Sequence, residues 1–227
     1  AVVRHATAAG ETRSIRLGDG TVLPLGARSE VDIVFTPEAR QVRLASGTAL
    51  FDVAKDGRPF TVKAGQLTAR VLGTVFEVRA SGDVTRTLVA EGRVAVTYPL
   101  LTRNAPSGMN SRAILTGGEQ VSATAAGGLG EVSAVSPQHV GAWRQGLLTY
   151  EGATLSELVA DIARYTDRPL LLGDLPPDVA GRRVNAALRA EDGGGMLELL
   201  AELYPVRVED SGEALRIEPL KETLRPR

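Results

Sequence analysis

Few side chains in this 227-residue chain are of a type and spacing that could do chemistry. The most specific is the dipeptide Gly73-Thr74. A threonine hydroxyl can attack the carbonyl that precedes it, exchanging the amide for an ester that water then opens. That reaction needs a strained Gly-Thr bond and a local base. By residue type alone, a tight bend at Gly73 and a strand start at Thr74 is the better reading.

The other constellations are weaker. Asp52, Asp56, Glu77 and Glu91 are carboxylates of the kind a glycosidase pairs, but their spacing singles out no two of them. His5 and His139 have no carboxylate or second histidine at metal-ligand spacing, and no Gly-x-Ser-x-Gly marks a serine nucleophile. Gly18-Asp19-Gly20 is followed by no helix and reads as a hairpin turn rather than a phosphate loop. Gly193-Gly194-Gly195 precedes a helical stretch without the Lys and Ser/Thr of a nucleotide loop, which leaves a flexible helix entry.

Composition closes further routes. The absence of cysteine excludes disulfides, thiolate metal sites and thiol nucleophiles. A net charge of −1 argues against a dedicated nucleic-acid binder, and aromatics at 4% leave little for stacking on bases or sugars. No cofactor is called for. No apolar run approaches the ~20 residues of a membrane span, and Ala1-Val2-Val3-Arg4 is not a signal peptide. The expectation is a trimmed piece of a longer protein.

The elements that must position these residues change character along the chain. Up to about residue 135, apolar and polar residues alternate in short runs, as in Val31–Phe35, Val42–Leu44, Val75–Val78 and Val94–Val96. Glycines punctuate them about every ten residues, which predicts a sandwich, barrel or β-solenoid without a useful helix. Pro24 marks a strand end or edge. Residues 100–112 and 124–130 read as surface loops.

After Pro137 the period becomes helical. Thr154-Leu-Ser-Glu157 is a capping box, and Leu155, Leu158, Val159, Ile162 and Ala163 share one helical face. Pro169 ends that helix, and Leu170–Leu172 reads as a buried strand. Val184–Leu188 is another strand, residues 196–204 a second helix, and Val206–Val208 with Leu215–Ile217 a hairpin. The predicted architecture is therefore two-domain. An all-β domain covers 1–140, and a small α+β domain of β-α-β repeats covers 141–227. Residues 1–136 carry 15 basic and 12 acidic side chains, and 137–227 carry 11 and 15, a modest asymmetry. Trp143, the only tryptophan, sits at the junction and is expected to be mostly buried, fixing the linker or the interdomain angle.

Several stretches, taken in order, resemble the periplasmic domain of the FecR family. They are Glu11–Leu25, Arg43–Ala54, Arg58-Pro-Phe-Thr-Val62, Leu72-Gly-Thr-Val-Phe-Glu-Val78, Glu91-Gly-Arg-Val-Ala-Val96, Gly117-Gly-Glu-Gln120 and Ala142-Trp-Arg-Gln-Gly146. The tail over 147–220, with Leu155-Ser-Glu-Leu158-Val159 and Arg164-Tyr165, resembles the short secretin/TonB-type N-terminal domain that follows in many members. The family's cytoplasmic anti-sigma segment and membrane helix lie outside this sequence. Gly193–Gly195 stands where such domains carry helix formers.

The resemblance implies the periplasmic, signal-receiving part of a single-pass inner-membrane anti-sigma regulator of a Gram-negative bacterium. Such a regulator binds the N-terminal signalling domain of a TonB-dependent outer-membrane transporter for a siderophore or iron chelate. It relays the signal to an extracytoplasmic-function (ECF) sigma factor through regulated periplasmic and intramembrane proteolysis. The resemblance also implies no enzymatic activity beyond self-cleavage at Gly73-Thr74, which some members show. The partner is expected on the C-terminal domain, by strand addition at Leu170, Leu171 and Leu172 or at Val184–Leu188, with Arg182 and Arg183 pairing partner carboxylates at the rim. The alternative is a polysaccharide- or peptidoglycan-binding envelope module.

Overall fold

The computed structural model describes residues 2–99, 111–190 and 193–220. Its contacts divide the chain into two compact units, Ala1–Gln145 and Gly146–Arg227. No helix among the described residues is long and apolar enough to cross a membrane.

The first unit is built of short strands: β1 (Val3–Ala6), β2 (Arg13–Arg16), β3 (Val22–Leu25), β4 (Glu30–Phe35), β5 (Arg40–Asp52), β6 (Phe60–Ala64) and β7 (Leu67–Val71). There follow β8 (Val75–Ser81), β9 (Val84–Glu91), β10 (Arg93–Thr97), β11 (Arg112–Thr116), β12 (Glu119–Thr124), β13 (Gly128–Leu129) and β14 (Ser133–Ala134). Their order is β11-β10-β7-β6-β5-β8-β9-β12-β13, with β3 and β4 also paired to β5. The long β5 makes the architecture. Its first half pairs β4 antiparallel and β6 in parallel, and its second half pairs β3 and β8. The change comes at Gly47, whose φ of +96° favours glycine and whose missing Cβ leaves room for Ser29.

Inward residues of the two halves form one core. Val42, Leu44, Phe60, Val62, Leu67 and Val94 come from one side, and Leu23, Leu25, Phe51, Phe76, Val78 and Val121 from the other. Phe60, Phe51 and Phe76 run through it with centroids 5.9 and 5.0 Å apart. The alternation predicted from sequence is the alternation of burial along β4, β6, β7 and β10.

A second layer covers the opposite face of β8 and β9. The strap 135–145 lays Val135, Val140 and Trp143 in buried positions, with Leu50 and Leu88 also buried there. Glu77 is buried and anchors the strap. It accepts two bonds from Arg79, the shorter 2.7 Å, and one at 2.7 Å from the Gly141 amide. Gln120 accepts from Arg86 and donates to the Ala134 carbonyl.

Two local expectations are corrected here. Pro24 lies inside β3 rather than at its end, between the Val22 and Leu25 pairings with β5. Residues 124–130 are not simply a surface loop. Gly128 turns at φ +67°, and Gly128–Leu129 pair back onto Ala123 and Thr124, because Leu129 belongs to the core. Of the loop expected at 100–112, residues 100–110 lie outside the described residues, and Arg112 already begins β11.

The second unit runs β15 (Leu147–Thr154), α1 (Leu155–Ile162), β16 (Leu170–Leu172), α2 (Pro177–Ala180), β17 (Arg183–Arg189), α3 (Gly193–Leu203), β18 (Val206–Asp210) and β19 (Leu215–Pro219). The capping box is formed: the Thr154 hydroxyl accepts from the Glu157 amide, and Glu157 accepts from the Thr154 amide. Helix α1 stops at Ile162, well before Pro169. Helices α1 and α3 fall on the two helical stretches read from the sequence, α2 was not foreseen, and the strand pairing is not that of β-α-β repeats. β15 pairs β17, whereas β16 pairs β19 in parallel and β19 pairs β18. No helix therefore joins two strands of the same sheet. Periodicity identifies strands but not their partners.

Candidate functional site

Gly73-Thr74 occupies the bend between β7 and β8, and the surrounding chain holds it on three sides. Thr74 is 5% exposed, and its Oγ1 donates to the Arg93 carbonyl at 3.0 Å. The Thr74 carbonyl accepts from the Val53 amide, and the Leu72 carbonyl accepts from Arg40 at 3.4 Å. Gly92 presses on the same peptide. Its φ is +87°, and a Cβ there would stand 2.9 Å from Thr74 Oγ1 and 3.3 Å from the Gly73 carbonyl oxygen. The Leu-Gly-Thr and Glu-Gly-Arg segments, separate in sequence, thus meet at one point. A register shift between Val75 and Phe76 marks the junction.

A shallow cavity of about 380 Å³ opens beside it, lined by Arg70, Leu72, Gly73, Thr74, Arg93 and Ala95. Gly73 itself is half-buried. The Lys55 stem lies against the Cα of Gly73. Neither Gly73 nor Thr74 has a positive φ, so the bend carries no left-handed backbone strain. The hydroxyl proton is directed at a carbonyl, which takes no proton near neutral pH.

Sequence reading missed the residue that fixes this region. Arg40 is fully buried at the start of β5 and pairs with Asp19 at 2.7 Å and Asp56 at 3.2 Å. It also donates to the carbonyls of Ala54 and Arg58, and its guanidinium lies 5.2 Å from the Phe60 centroid. Burial pushes the Asp19 carboxyl up. The bonds from Arg40 and from the Thr21 hydroxyl and amide outweigh that and hold it below the ordinary value. The hairpin read at Gly18–Gly20 is therefore one end of a buried ionic clamp.

In the second unit, the proposed docking strands fall in different sheets. β16 is an edge strand, and it is not buried as its apolar run suggested: Leu171 is 41% and Leu172 37% exposed, with Leu170 half-buried. A run of three leucines fits a buried strand and an exposed edge equally well. β17 is also an edge, with Val184 half-buried. Arg182 and Arg183 are exposed yet locally engaged. The Arg182 guanidinium lies 6.0 Å from the Tyr204 centroid, and Arg183 donates to the Gly152 carbonyl at 2.9 Å.

Trp143 is 3% exposed, within the strap. Among the described residues, no group of three or more His, Asp or Glu could hold a metal ion. None of the nine aromatic side chains is exposed.

Residues 3–95 match the family described as FecR protein. The FecR match contains both segments that meet at Thr74, as far as Ala95, and ends before the strap. Two crystal structures of a proposed anti-sigma factor from Parabacteroides distasonis ATCC 8503 share the fold. One is 23% identical over 97% of this chain and the other 24% over 96%, each with all of its own chain covered and a TM-score of 0.80. No curated protein matches the chain.

Proposed function

We propose that this chain is the signal-receiving, periplasmic part of an inner-membrane anti-sigma regulator. It binds the N-terminal signalling domain of a TonB-dependent outer-membrane transporter and relays ligand uptake, of a siderophore or iron chelate, to an ECF sigma factor held by another part of the protein. Periplasmic and intramembrane proteases carry out the release. The FecR segment and the likeness to a proposed anti-sigma factor support the class. The chain acts by binding rather than by enzymatic turnover, with the two units serving as separate domains.

The docking assignment is carried by one observation. Along β16 an edge strand presents two exposed leucines and no charged residue or proline. The other edges of this unit carry charge, with Glu151 on β15, Arg183 and Arg189 on β17, and Arg207, Glu209 and Asp210 on β18. Charge blunts an edge against strand addition, and its absence leaves β16 open to it. Main-chain bonds supply affinity there, while Leu171 and Leu172 fill apolar positions on the partner. Calorimetric titration of the chain with transporter signalling domains tests this reading: saturable binding to one of them supports it, and heat of dilution alone with all of them refutes it.

Self-cleavage at Gly73-Thr74 belongs to the same proposal and rests on the resemblance, since the bend has no left-handed strain and the hydroxyl donates to the Arg93 carbonyl. The Thr74 Oγ attacks the Gly73 carbonyl carbon, the C–N bond breaks, and the hydroxyl proton passes to the departing amine. Water then opens the ester, leaving a Gly73 carboxylate and restoring the Thr74 hydroxyl.

A further inference from the structure

The outer face of β5, β6, β7, β10 and β11 is unusual in charge. Its outward positions include Arg43, Lys63, Arg70, Arg93 and Arg112, all exposed. The register places them on one face. Arg43 stands opposite Lys63, Lys63 opposite Thr68, and Thr68 opposite Thr97, which faces Arg112. In the next row Thr61 faces Arg70, Arg70 faces Ala95, and Ala95 faces Ile114. Strands lie ~4.8 Å apart, so Arg43 and Lys63 sit side by side, and the other cations share the face with only Thr, Ala and Ile across from them, a surface of one sign that disfavours the sheet unless something offsets it.

Little in the unit offsets it. Asp32 on β4 pairs with Arg43 at 3.4 Å and with Arg4 at 2.7 Å, so that end of the sheet is balanced. Lys63, Arg70, Arg93 and Arg112 have no carboxylate partner among the described residues. Glu119, at the margin, is turned onto the Thr116 amide and hydroxyl. From Gly92 to Gly118 the sequence contains no Asp or Glu at all, although the whole chain is slightly acidic.

Two large apolar side chains stand among these cations. Leu72 is 62% and Ile114 64% exposed. Leu72 lines the shallow cavity together with Arg70 and Arg93, and Ile114 faces Ala95, from which Arg70 is the next position across the sheet. We propose that this face is a docking surface for an anionic lipid bilayer. A sheet face is broad and open, whereas an acidic peptide would be better served by a groove. A bilayer is an anionic partner that is also planar and has apolar volume just beneath its charge. Lys63, Arg70, Arg93 and Arg112 would meet the phosphates, while Leu72 and Ile114 enter the layer below them. The inference uses residues of the first unit only and does not depend on the transporter assignment.

Co-sedimentation of the full chain with vesicles tests it. The chain is expected to pellet with vesicles of phosphatidylglycerol and phosphatidylethanolamine, to release at high salt, and to stay in solution with phosphatidylcholine alone. A basic residue near an anionic surface contributes about fivefold in affinity, so Lys63→Glu/Arg70→Glu/Arg93→Glu should bind about a hundredfold more weakly or worse. The neutral Lys63→Gln/Arg70→Gln/Arg93→Gln chain, milder on folding, should lose about as much as the three charges contribute. Arg16→Glu/Arg216→Glu, which removes exposed cations elsewhere, should bind as the parent does. Circular dichroism checks that each variant is folded. Failure to pellet with anionic vesicles, or undiminished binding by the folded neutral variant, would overturn the proposal. It would equally be overturned if polyglutamate bound the chain as tightly as the vesicles with the same variant sensitivity, since that would make the face an acidic-peptide site.

Discussion

Arg40 and Asp19 meet 2.7 Å apart in the interior of the first unit, with both side chains almost wholly shielded from water. This contact joins the 18–20 turn to β5, and the other donors of Arg40 extend it to the carbonyls of Ala54, Arg58 and Leu72. Removing one partner of a buried pair leaves an uncompensated charge. Arg40→Met is therefore expected to cost about 3–5 kcal/mol, measured as a shift of the urea midpoint. A loss below about 1 kcal/mol would show that the clamp is not structural.

The same pair predicts an acid limb. The ordinary aspartate value is 3.8, and in the folded chain Asp19 is held below it despite burial. The folded carboxyl thus binds its proton less tightly than the unfolded one. The resulting stability is fully present above the unfolded value and is lost as pH falls through the folded one. Thermal melts between pH 5 and pH 2 should show a steeper decline for the parent than for Asp19→Asn, whose overall stability is lower.

Gly92 is placed to be intolerant of any side chain. Its left-handed conformation and its closeness to Thr74 Oγ1 both oppose a Cβ. Gly92→Ala should destabilise by about 1–3 kcal/mol in chemical denaturation. An exposed turn glycine without such a neighbour, such as Gly57 at φ +82°, should lose less on the same change.

Self-cleavage is read by mass spectrometry of the incubated chain. Fragments ending at Gly73 and beginning at Thr74 are expected from the parent and absent from Thr74→Val, which keeps the shape and removes the nucleophile. An intact parent mass after prolonged incubation would rule the reaction out.

How legible these features were in the sequence depends on what each one needs. Alternation along Val31–Phe35 or Val94–Val96 records one buried face, so the strands could be read from the chain itself. The Thr154–Glu157 box is local and was readable for the same reason. Arg40 has the inward parity of Val42 and Leu44, but an arginine at the head of an apolar alternation reads as the polar residue that starts the strand, and the carboxylates that make it tolerable inside, Asp19 and Asp56, are far away or unmarked in sequence. The role of β5 in both halves of the unit, and the split of the second unit into two sheets, rest on long-range pairing that no local pattern encodes. Leu170–Leu172 misled in the opposite sense, since an exposed apolar edge has the same sequence as a buried strand.

The most direct test of the docking proposal is isothermal calorimetry of the full chain against the signalling domain of a TonB-dependent transporter, with Leu171→Glu/Leu172→Glu as the comparison. The parent should bind saturably. The variant places charge on the β16 edge and should bind at least about tenfold more weakly, with an unchanged melting profile for the first unit. Equal affinity of parent and variant would contradict the assignment of the β16 edge as the docking site.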